Sequence, residues 1–225
     1  MFILPKSSIY ALCAAVLLTA GCGDREPDVA EPFPGNQAVK SSQSWGPGSQ
    51  ENPVKNNDYA PAKGLQSMTT DPHLLFEAAL NGKAYSVKKA LDKGINPDVA
   101  DAELRTPLML AAYNGHADIL KMLLDAGAEV NRKDKEGRTA LMFASTGPFP
   151  KAVKLLIDCG AEVNAIDGGE GWTPLMFAAA EGHLQVAEIL LAAGADKTII
   201  DEDGDTAYSF AAQKRHPDVA KILSE

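Results

Sequence analysis

The sequence carries none of the short motifs that mark the common kinds of enzyme and metal site. His-Glu-x-x-His, Cys-x-x-Cys and Gly-x-Ser-x-Gly strings are absent, and no glycine-rich loop precedes a lysine as in a phosphate-binding site. The acidic run at residues 201–205 lacks the distal glutamate of a calcium-binding loop. We therefore predict that the protein is not an enzyme, with no metal site and no cofactor.

Basic residues are scarce relative to acidic ones. The chain has 21 lysines and arginines against 30 acidic residues, a formal net charge of −9. Nucleic-acid binding needs clustered basic side chains, so this class of partner is excluded. The excess is uneven, because residues 158–225 carry 13 acidic and 4 basic side chains. This acidic end favours a partner protein with a basic patch.

The first 21 residues have the features of a signal peptide. An apolar stretch over residues 9–20 follows Lys6, with the length of a signal-peptide core and too short for a membrane span. It ends in Leu18-Thr19-Ala20-Gly21-Cys22, which resembles the processing box of bacterial lipoproteins. The resemblance implies acylation of Cys22, with chains such as palmitate, and a membrane anchor facing the periplasm. An ordinary secretory signal that happens to contain Cys22 is the alternative.

The residue after Cys22 and the cysteine count bear on this interpretation. Gly23 stands where an aspartate would indicate inner-membrane retention, so the resemblance favours the outer membrane. Cys13 would leave with the signal peptide and Cys22 would be acylated, so Cys159 has no intrachain disulfide partner. We expect Cys159 to be buried and inert, with a redox or intermolecular role as the alternative.

Residues 22–67 consist of the acylated cysteine and a stretch rich in Pro, Gly, Ser, Asn and Gln. No apolar periodicity in it lasts even two helical turns. Such a composition buries too little apolar surface to offset the entropy of ordering. We predict a flexible tether with a root-mean-square span of roughly 35–40 Å.

From residue 68 onward the chain repeats itself every 33 or 34 residues. The clearest copies open with Thr106-Pro107-Leu108-Met109, Thr139-Ala140-Leu141-Met142, Thr173-Pro174-Leu175-Met176 and Thr206-Ala207-Tyr208-Ser209. A degenerate first copy lies at residues 73–79. Each opening leads through a turn to the apolar stripe of a second helix, which ends at a glycine. Leu123, Leu156 and Leu190 occupy equivalent core positions in these second helices.

This pattern resembles the ankyrin repeat, a turn followed by two helices. The resemblance implies an all-α solenoid of about five helix-turn-helix units with short loop fingers, in which each unit covers the apolar faces of the next. The domain would span residues 68–225, with units at about 70–102, 103–135, 136–169, 170–202 and 203–225. His116 and His183 belong to the repeat turn, and we expect each to hydrogen-bond a neighbouring loop.

The sequence departs from the family at two places. Methionine stands where the family usually has a histidine after Thr-Pro-Leu, so we expect that histidine's hydrogen bonds to be missing and the methionines to fill the core. The segment Gly147-Pro148-Phe149-Pro150 replaces the usual Asn-Gly-His turn. Its two prolines exclude ordinary helix, and we expect Phe149 to be exposed.

The resemblance further implies that a partner protein meets the loop tips and the adjoining positions of the first helices. Carried onto this sequence, the loop tips are Glu103, Arg105, Lys135, Glu136, Arg138, Glu170, Trp172, Glu202, Asp203 and Asp205. The helix positions are Tyr113, Asn114, Ala180 and Glu181. Trp172 and Tyr113 stand out because exposed aromatic residues dominate the energy of many interfaces. Packing of Trp172 against the next loop is the alternative.

Together, the anchor, the repeats and the lack of catalytic motifs indicate a non-catalytic, periplasm-facing binding protein. The whole-chain pattern resembles immunity lipoproteins that neutralise secreted phospholipase toxins. The alternative is a structural or stress-response scaffold of the periplasm. The sequence does not identify the partner.

Overall fold

The computed structural model describes residues 72–224. The predicted signal peptide, Cys22 and the predicted tether therefore lie outside the described residues. Within 72–224 the chain forms ten helices in five pairs and no strand. The all-α fold and the five units are confirmed. No helix in this part of the chain has the length and apolar character needed to cross a membrane.

The pairs follow one another along the chain with the same order of a first and a second helix. The first helices are α1 (Pro72–Leu80), α3 (Pro107–Tyr113), α5 (Ala140–Ser145), α7 (Pro174–Glu181) and α9 (Ala207–Gln213). The second helices are α2 (Ala84–Asp92), α4 (Ala117–Asp125), α6 (Pro150–Asp158), α8 (Leu184–Ala192) and α10 (Pro217–Ser224).

Like helices stack on like helices. Each first helix packs against the first helix of the next pair and against its own second helix, and the second helices form a parallel row behind them. Leu123, Leu156 and Leu190 are fully buried in this second row, which confirms the register of the repeat. The stack thus has one continuous core, to which every pair contributes the same positions.

In three of the first helices a methionine takes part in the N-terminal cap, which the sequence did not lead us to expect. The Thr106 hydroxyl accepts a hydrogen bond from the Met109 N–H at 3.3 Å, and the Met109 Sδ accepts one from the Thr106 N–H at 3.4 Å. The same reciprocal cap recurs at Thr139 with Met142 and at Thr173 with Met176. The methionines are buried as expected, but each also caps its helix through sulfur.

The second helices end at glycines with a left-handed backbone. Gly127, Gly160 and Gly194 have φ values of 91°, 88° and 90°. A Cβ added at any of them would meet no atom within 4 Å, so the backbone conformation and not the available space requires glycine.

Histidines join successive units. His116 Nε2 donates to the Leu80 carbonyl and His183 Nε2 to the Thr146 carbonyl, each at 3.1 Å, which confirms their expected role. His216 makes the same bond to the Ala180 carbonyl. Each ring thereby ties the start of a second helix to the C-terminal end of the first helix of the preceding unit.

In the third unit Phe149 occupies the position of these histidines. The ring is half-buried and packs on the core, so the expectation that Phe149 is exposed is wrong. It lies against Gly115 and Gly147, where any added Cβ would collide with the ring. Packing on two glycines replaces the histidine hydrogen bond at this joint.

Cys159 is exposed, so its expected burial is also wrong. It follows directly after α6 and precedes Gly160, where the chain leaves the core. The equivalent residues Ala126 and Ala193 are exposed as well. The position is a solvent-facing helix end in several units, which the isolated sequence does not reveal.

Candidate protein-binding surface

Four tight loops connect the five helix pairs. We call them finger 1 (residues 101–105), finger 2 (134–138), finger 3 (167–172) and finger 4 (201–205). Each begins with an aspartate whose backbone N–H donates to the carbonyl of the last finger residue, at 3.0 to 3.1 Å. The Oδ1 atom of the same aspartate accepts two or three further backbone N–H groups inside the finger. The aspartate therefore holds each finger in one shape.

Neighbouring fingers are linked by single backbone hydrogen bonds. Lys135 N–H donates to the Glu103 carbonyl at 3.0 Å, and Gly168 N–H donates to the Glu136 carbonyl at 2.7 Å. Glu202 N–H donates to the Glu170 carbonyl at 2.9 Å. The fingers form one row, so side chains at equivalent positions of adjacent fingers are neighbours.

In fingers 1 and 2 the last residue is an arginine that pairs with the opening aspartate. Arg105 Nη2 lies 2.7 Å from Asp101 Oδ2, and Arg138 Nη2 lies 2.8 Å from Asp134 Oδ2. Arg138 also binds Glu136 and lies 4.9 Å above the ring of Phe143. Its side chain is only 10% exposed, so most of the guanidinium is occupied within the finger, and a partner-binding role for Arg138 stays a prediction. The guanidinium neutralises the aspartate that shapes the finger.

Trp172 occupies the same position in finger 3. Its ring is half-buried, with its centroid 5.0 Å from that of Phe177 and 4.4 Å from that of Phe210. Its buried Nε1–H has no hydrogen-bond partner. The expected exposure is therefore wrong: Trp172 packs, although against the first helices and not against the next loop. Tyr113 is likewise half-buried, with its ring edge-on to Phe143.

The remaining predicted positions divide into those that are open to solvent and those that are buried or hydrogen-bonded within the chain. Asp205 is half-buried and accepts from Gln213 at 3.2 Å, and Ala180 is buried beneath the surface. Asn114 is exposed, but its amide donates to the Leu80 carbonyl at 2.7 Å. The charged positions open to solvent are Glu103, Lys135, Glu136, Glu170, Glu181, Glu202 and Asp203.

The charges of the four fingers differ in how they are compensated. In fingers 1 and 2, Lys135 lies 3.6 Å from Glu103, and Arg138 pairs with Glu136. In fingers 3 and 4, burial raises the pKa of Glu170, and the nearby carboxylates of Asp167, Asp201, Asp203 and Glu202 raise it further. Across residues 159–224, as far as the structure describes them, no ion pair forms.

Sequence reasoning missed three exposed apolar side chains in the finger row. Leu104, Ile166 and Ile200 are 46%, 50% and 60% exposed. Leu104 also has φ +59°, at the position where fingers 2, 3 and 4 have glycine. For Ile166 and Ile200 the available signal was an apolar residue directly before the finger, where other units have Ala100 or Lys133. For Leu104 it was an apolar residue where the other fingers have glycine.

The surface is suited to binding. Among the residues described, no group of three or more His, Cys, Asp or Glu side chains could hold a metal ion. What the row offers is a rigid set of exposed charged and apolar side chains, held by buried caps and ion pairs that do not themselves face a partner.

Comparison with known proteins agrees with the repeat. The family model described as ankyrin repeats (3 copies) matches residues 75–167 and 147–225, well over half of the chain. A similar curated protein is the ankyrin repeat protein nuc-2 of Neurospora crassa, 41% identical over 54 residues. That segment is 24% of this chain and 5% of the Neurospora protein, so the likeness extends to the repeats alone.

Proposed function

Because this chain belongs to the ankyrin-repeat family, a family of protein-binding modules that are typically non-catalytic, we propose that it binds one partner protein at the bacterial envelope and inhibits it. The observation that carries the proposal is the finger row. Its framework is held by the opening aspartate of each finger, which hydrogen-bonds the backbone of that finger, and by hydrogen bonds between fingers. Its exposed side chains differ from unit to unit. A binding surface needs this combination of a fixed scaffold and variable exposed positions.

We place the protein on the periplasmic side of the outer membrane, anchored through Cys22. The support is the sequence Leu18-Thr19-Ala20-Gly21-Cys22 and the apolar stretch before it. Two or three acyl chains on one residue would hold the protein stably on a membrane, where a single chain would not. The tether would then let the repeat stack reach a partner away from the lipid surface.

The anchor is tested by labelling growing cells with a palmitate analogue and separating their membranes. The wild-type chain should carry label and sediment with the outer membrane, whereas Cys22→Ser should carry none and remain unprocessed or soluble. Cys159→Ser is the matched control, because it removes the exposed thiol of the repeat stack and should leave labelling unchanged. A wild-type chain free of lipid by mass would refute the anchor.

The sharper form of the proposal is an immunity protein for a secreted phospholipase toxin. The anchor, the acidic C-terminal end and the binding surface together support it. The first test is whether a neighbouring gene encodes a secreted lipase-like toxin. If it does, that product is directed to the periplasm of a sensitive strain. Co-expression of this chain should restore growth, and the purified chain should inhibit the lipase. If the chain binds periplasmic proteins but protects against no such toxin, the alternative of a structural or stress-response scaffold takes its place.

A further inference from the structure

Two isoleucines mark one part of the finger row. Ile166 and Ile200 stand directly before the aspartates that open fingers 3 and 4. Fingers 1 and 2 have Ala100 and Lys133 at that position, so the fold itself does not need an apolar side chain there. Both isoleucines are at least half exposed. A single exposed isoleucine is ordinary, but two at equivalent positions of adjacent fingers form an apolar patch without a structural reason.

Exposed carboxylates belong to the same two fingers as this pair. Glu170, Glu202 and Asp203 are exposed on the same two fingers, and Glu202 N–H donates to the Glu170 carbonyl at 2.9 Å. Partial burial is the main cause of the raised pKa of Glu170, and the nearby carboxylates of Asp167, Asp201, Asp203 and Glu202 raise it further. Among the described residues none of the three exposed carboxylates forms an ion pair, in contrast to Glu103 and Glu136 in the first two fingers. The nearby Lys133 ammonium donates to the Ile166 carbonyl at 3.4 Å and pairs with none of the three.

We propose that Ile166 and Ile200, with Glu170, Glu202 and Asp203, form a docking patch for a cationic segment of a partner protein that carries apolar side chains between its basic ones. This inference rests on the proposed binding function, but not on the anchor or on the toxin. The apolar side chains of the segment cover the two isoleucines, and its lysines or arginines meet the carboxylates. The same negative charge repels nucleic acid and anionic lipid surfaces.

The geometry sets the spacing of the segment. Adjacent units of packed helices lie about 8–10 Å apart, so the two isoleucines are separated by a similar distance. In a polyproline II segment, with three residues per turn and a rise of about 3.1 Å per residue, every third side chain lies on the same face, about 9 Å from the previous one. Apolar residues at every third position, with lysines between them, therefore match the patch.

The test measures binding of a fluorescent twelve-residue peptide, Lys-Lys-Leu repeated, to the full chain by fluorescence anisotropy. We expect binding that weakens at least about tenfold in Ile166→Ser/Ile200→Ser and in Glu170→Gln/Glu202→Gln/Asp203→Asn, because removal of one central contact set costs at least this much. The peptides Lys-Lys-Ser and Glu-Glu-Leu, repeated to the same length, should bind at least about tenfold more weakly than Lys-Lys-Leu.

A matched control variant distinguishes binding at this patch from non-specific attraction of the cationic peptide to an acidic protein. Glu162→Gln/Glu188→Gln/Asp218→Asn makes the same chemical change at exposed positions outside the fingers, and it should alter affinity less than about twofold, as exposed distant charges are screened. Equal loss in both triple variants, or equal binding of the Lys-Lys-Ser peptide, would overturn the docking patch. If the patch variants keep full inhibition of a toxin that the chain neutralises, the binding function stands and the patch is refuted. If the patch binds the peptide but no toxin is inhibited, the patch stands and the immunity role fails.

Discussion

Fingers 1 and 2 differ from fingers 3 and 4 at one structural position. The last finger residue is Arg105, Arg138, Trp172 and Asp205 in turn, while the opening aspartate is constant. Where arginine is present, it neutralises that aspartate at 2.7 to 2.8 Å. Where it is absent, the aspartate accepts backbone N–H groups, and among the described residues the neighbouring carboxylates of fingers 3 and 4 form no ion pair.

The difference separates what the fold needs from what it leaves free. In all four fingers the opening aspartate accepts hydrogen bonds from backbone N–H groups, so these bonds define the shape of the loop. The closing residue varies among a cation, an aromatic ring and an anion, so it is not required for the shape. The first two fingers use their charges within the chain, and the last two leave theirs available for a partner.

The largest expected loss of stability comes from removing the arginine at the end of finger 2. Arg138→Ala leaves Asp134, whose side chain is 1% exposed, without its cation. Breaking such a buried pair costs about 3–5 kcal/mol of unfolding free energy. Arg105→Ala, at the more exposed pair of finger 1, should cost only about 1 kcal/mol. Chemical unfolding measures both, and equal costs would contradict the role of burial.

The core should behave alike in both halves of the stack. Leu123→Ala, Leu156→Ala and Leu190→Ala each remove a fully buried side chain and should cost about 2–5 kcal/mol. Because the three sites are equivalent, the values should lie within about 1 kcal/mol of one another. A much cheaper loss at Leu190 would show that the halves differ in their cores as well as in their fingers.

Trp172→Ala tests whether the aromatic closing residue of finger 3 is structural. It removes a half-buried ring from Phe177 and Phe210 and should cost about 2 kcal/mol, less than a fully buried ring. Trp172→Phe keeps a ring in place and should cost less than half as much. Unchanged thermal stability of Trp172→Ala would restore the interpretation of this residue as a pure interface anchor.

Leu104 offers a smaller test within the arginine-closed fingers. Its left-handed backbone, φ +59°, is unfavourable for a residue with a Cβ by about 1–2 kcal/mol. Leu104→Gly should stabilise the chain by about 0.5 kcal/mol, since the greater freedom of glycine in the unfolded chain offsets part of the gain. Gly204→Leu makes the reverse change at the equivalent site of finger 4 and should destabilise. Thermal melts of the two variants should move in opposite directions.

The smallest effect concerns the repulsion among the acidic fingers. The pKa of Glu170 is raised, first by burial and then by neighbouring carboxylates, so its ionised form is disfavoured in the folded state. That cost is present at neutral pH and disappears as the pH falls through the folded-state pKa. Glu170→Gln should therefore be slightly more stable than wild type at neutral pH. Its advantage, measured by chemical unfolding at several pH values, should vanish in acid.

The pKa of Asp196 is shifted in the opposite direction to that of Glu170, so its effect on stability has the opposite pH dependence. Hydrogen bonds from Thr198 lower the pKa of its carboxyl group, so its stabilisation is present above the unfolded-state pKa and is lost as the pH falls through the folded-state value. Asp196→Asn should be less stable than wild type at neutral pH and should approach it in acid. Parallel pH profiles for the two variants would contradict the proposed repulsion.

Much of the fold was predictable because it depends on short-range rules. Threonine is a favoured N-cap and caps four of the first helices here, and glycine after a helix accepts a left-handed backbone. The histidine bonds between units follow from the repeat itself. Part of the surface was predictable too, since Glu103, Lys135, Glu170 and Glu202 are exposed as expected.

The amino-acid sequence by itself determined the period, the helix pairs, the threonines that cap four of the first helices and the glycines that follow three of the second ones, because these depend on neighbours along the chain. It did not determine the start of α6, which begins at Pro150 although two prolines were expected to exclude ordinary helix there. Only the tertiary structure decided which loop and turn residues remain exposed to solvent. Arg138, Trp172 and Phe149 are sequestered by groups of their own or adjacent units brought to them by folding: a buried aspartate, two phenylalanine rings and a pair of glycines. Exposure depends on distances between units, and those distances arise only when the units stack.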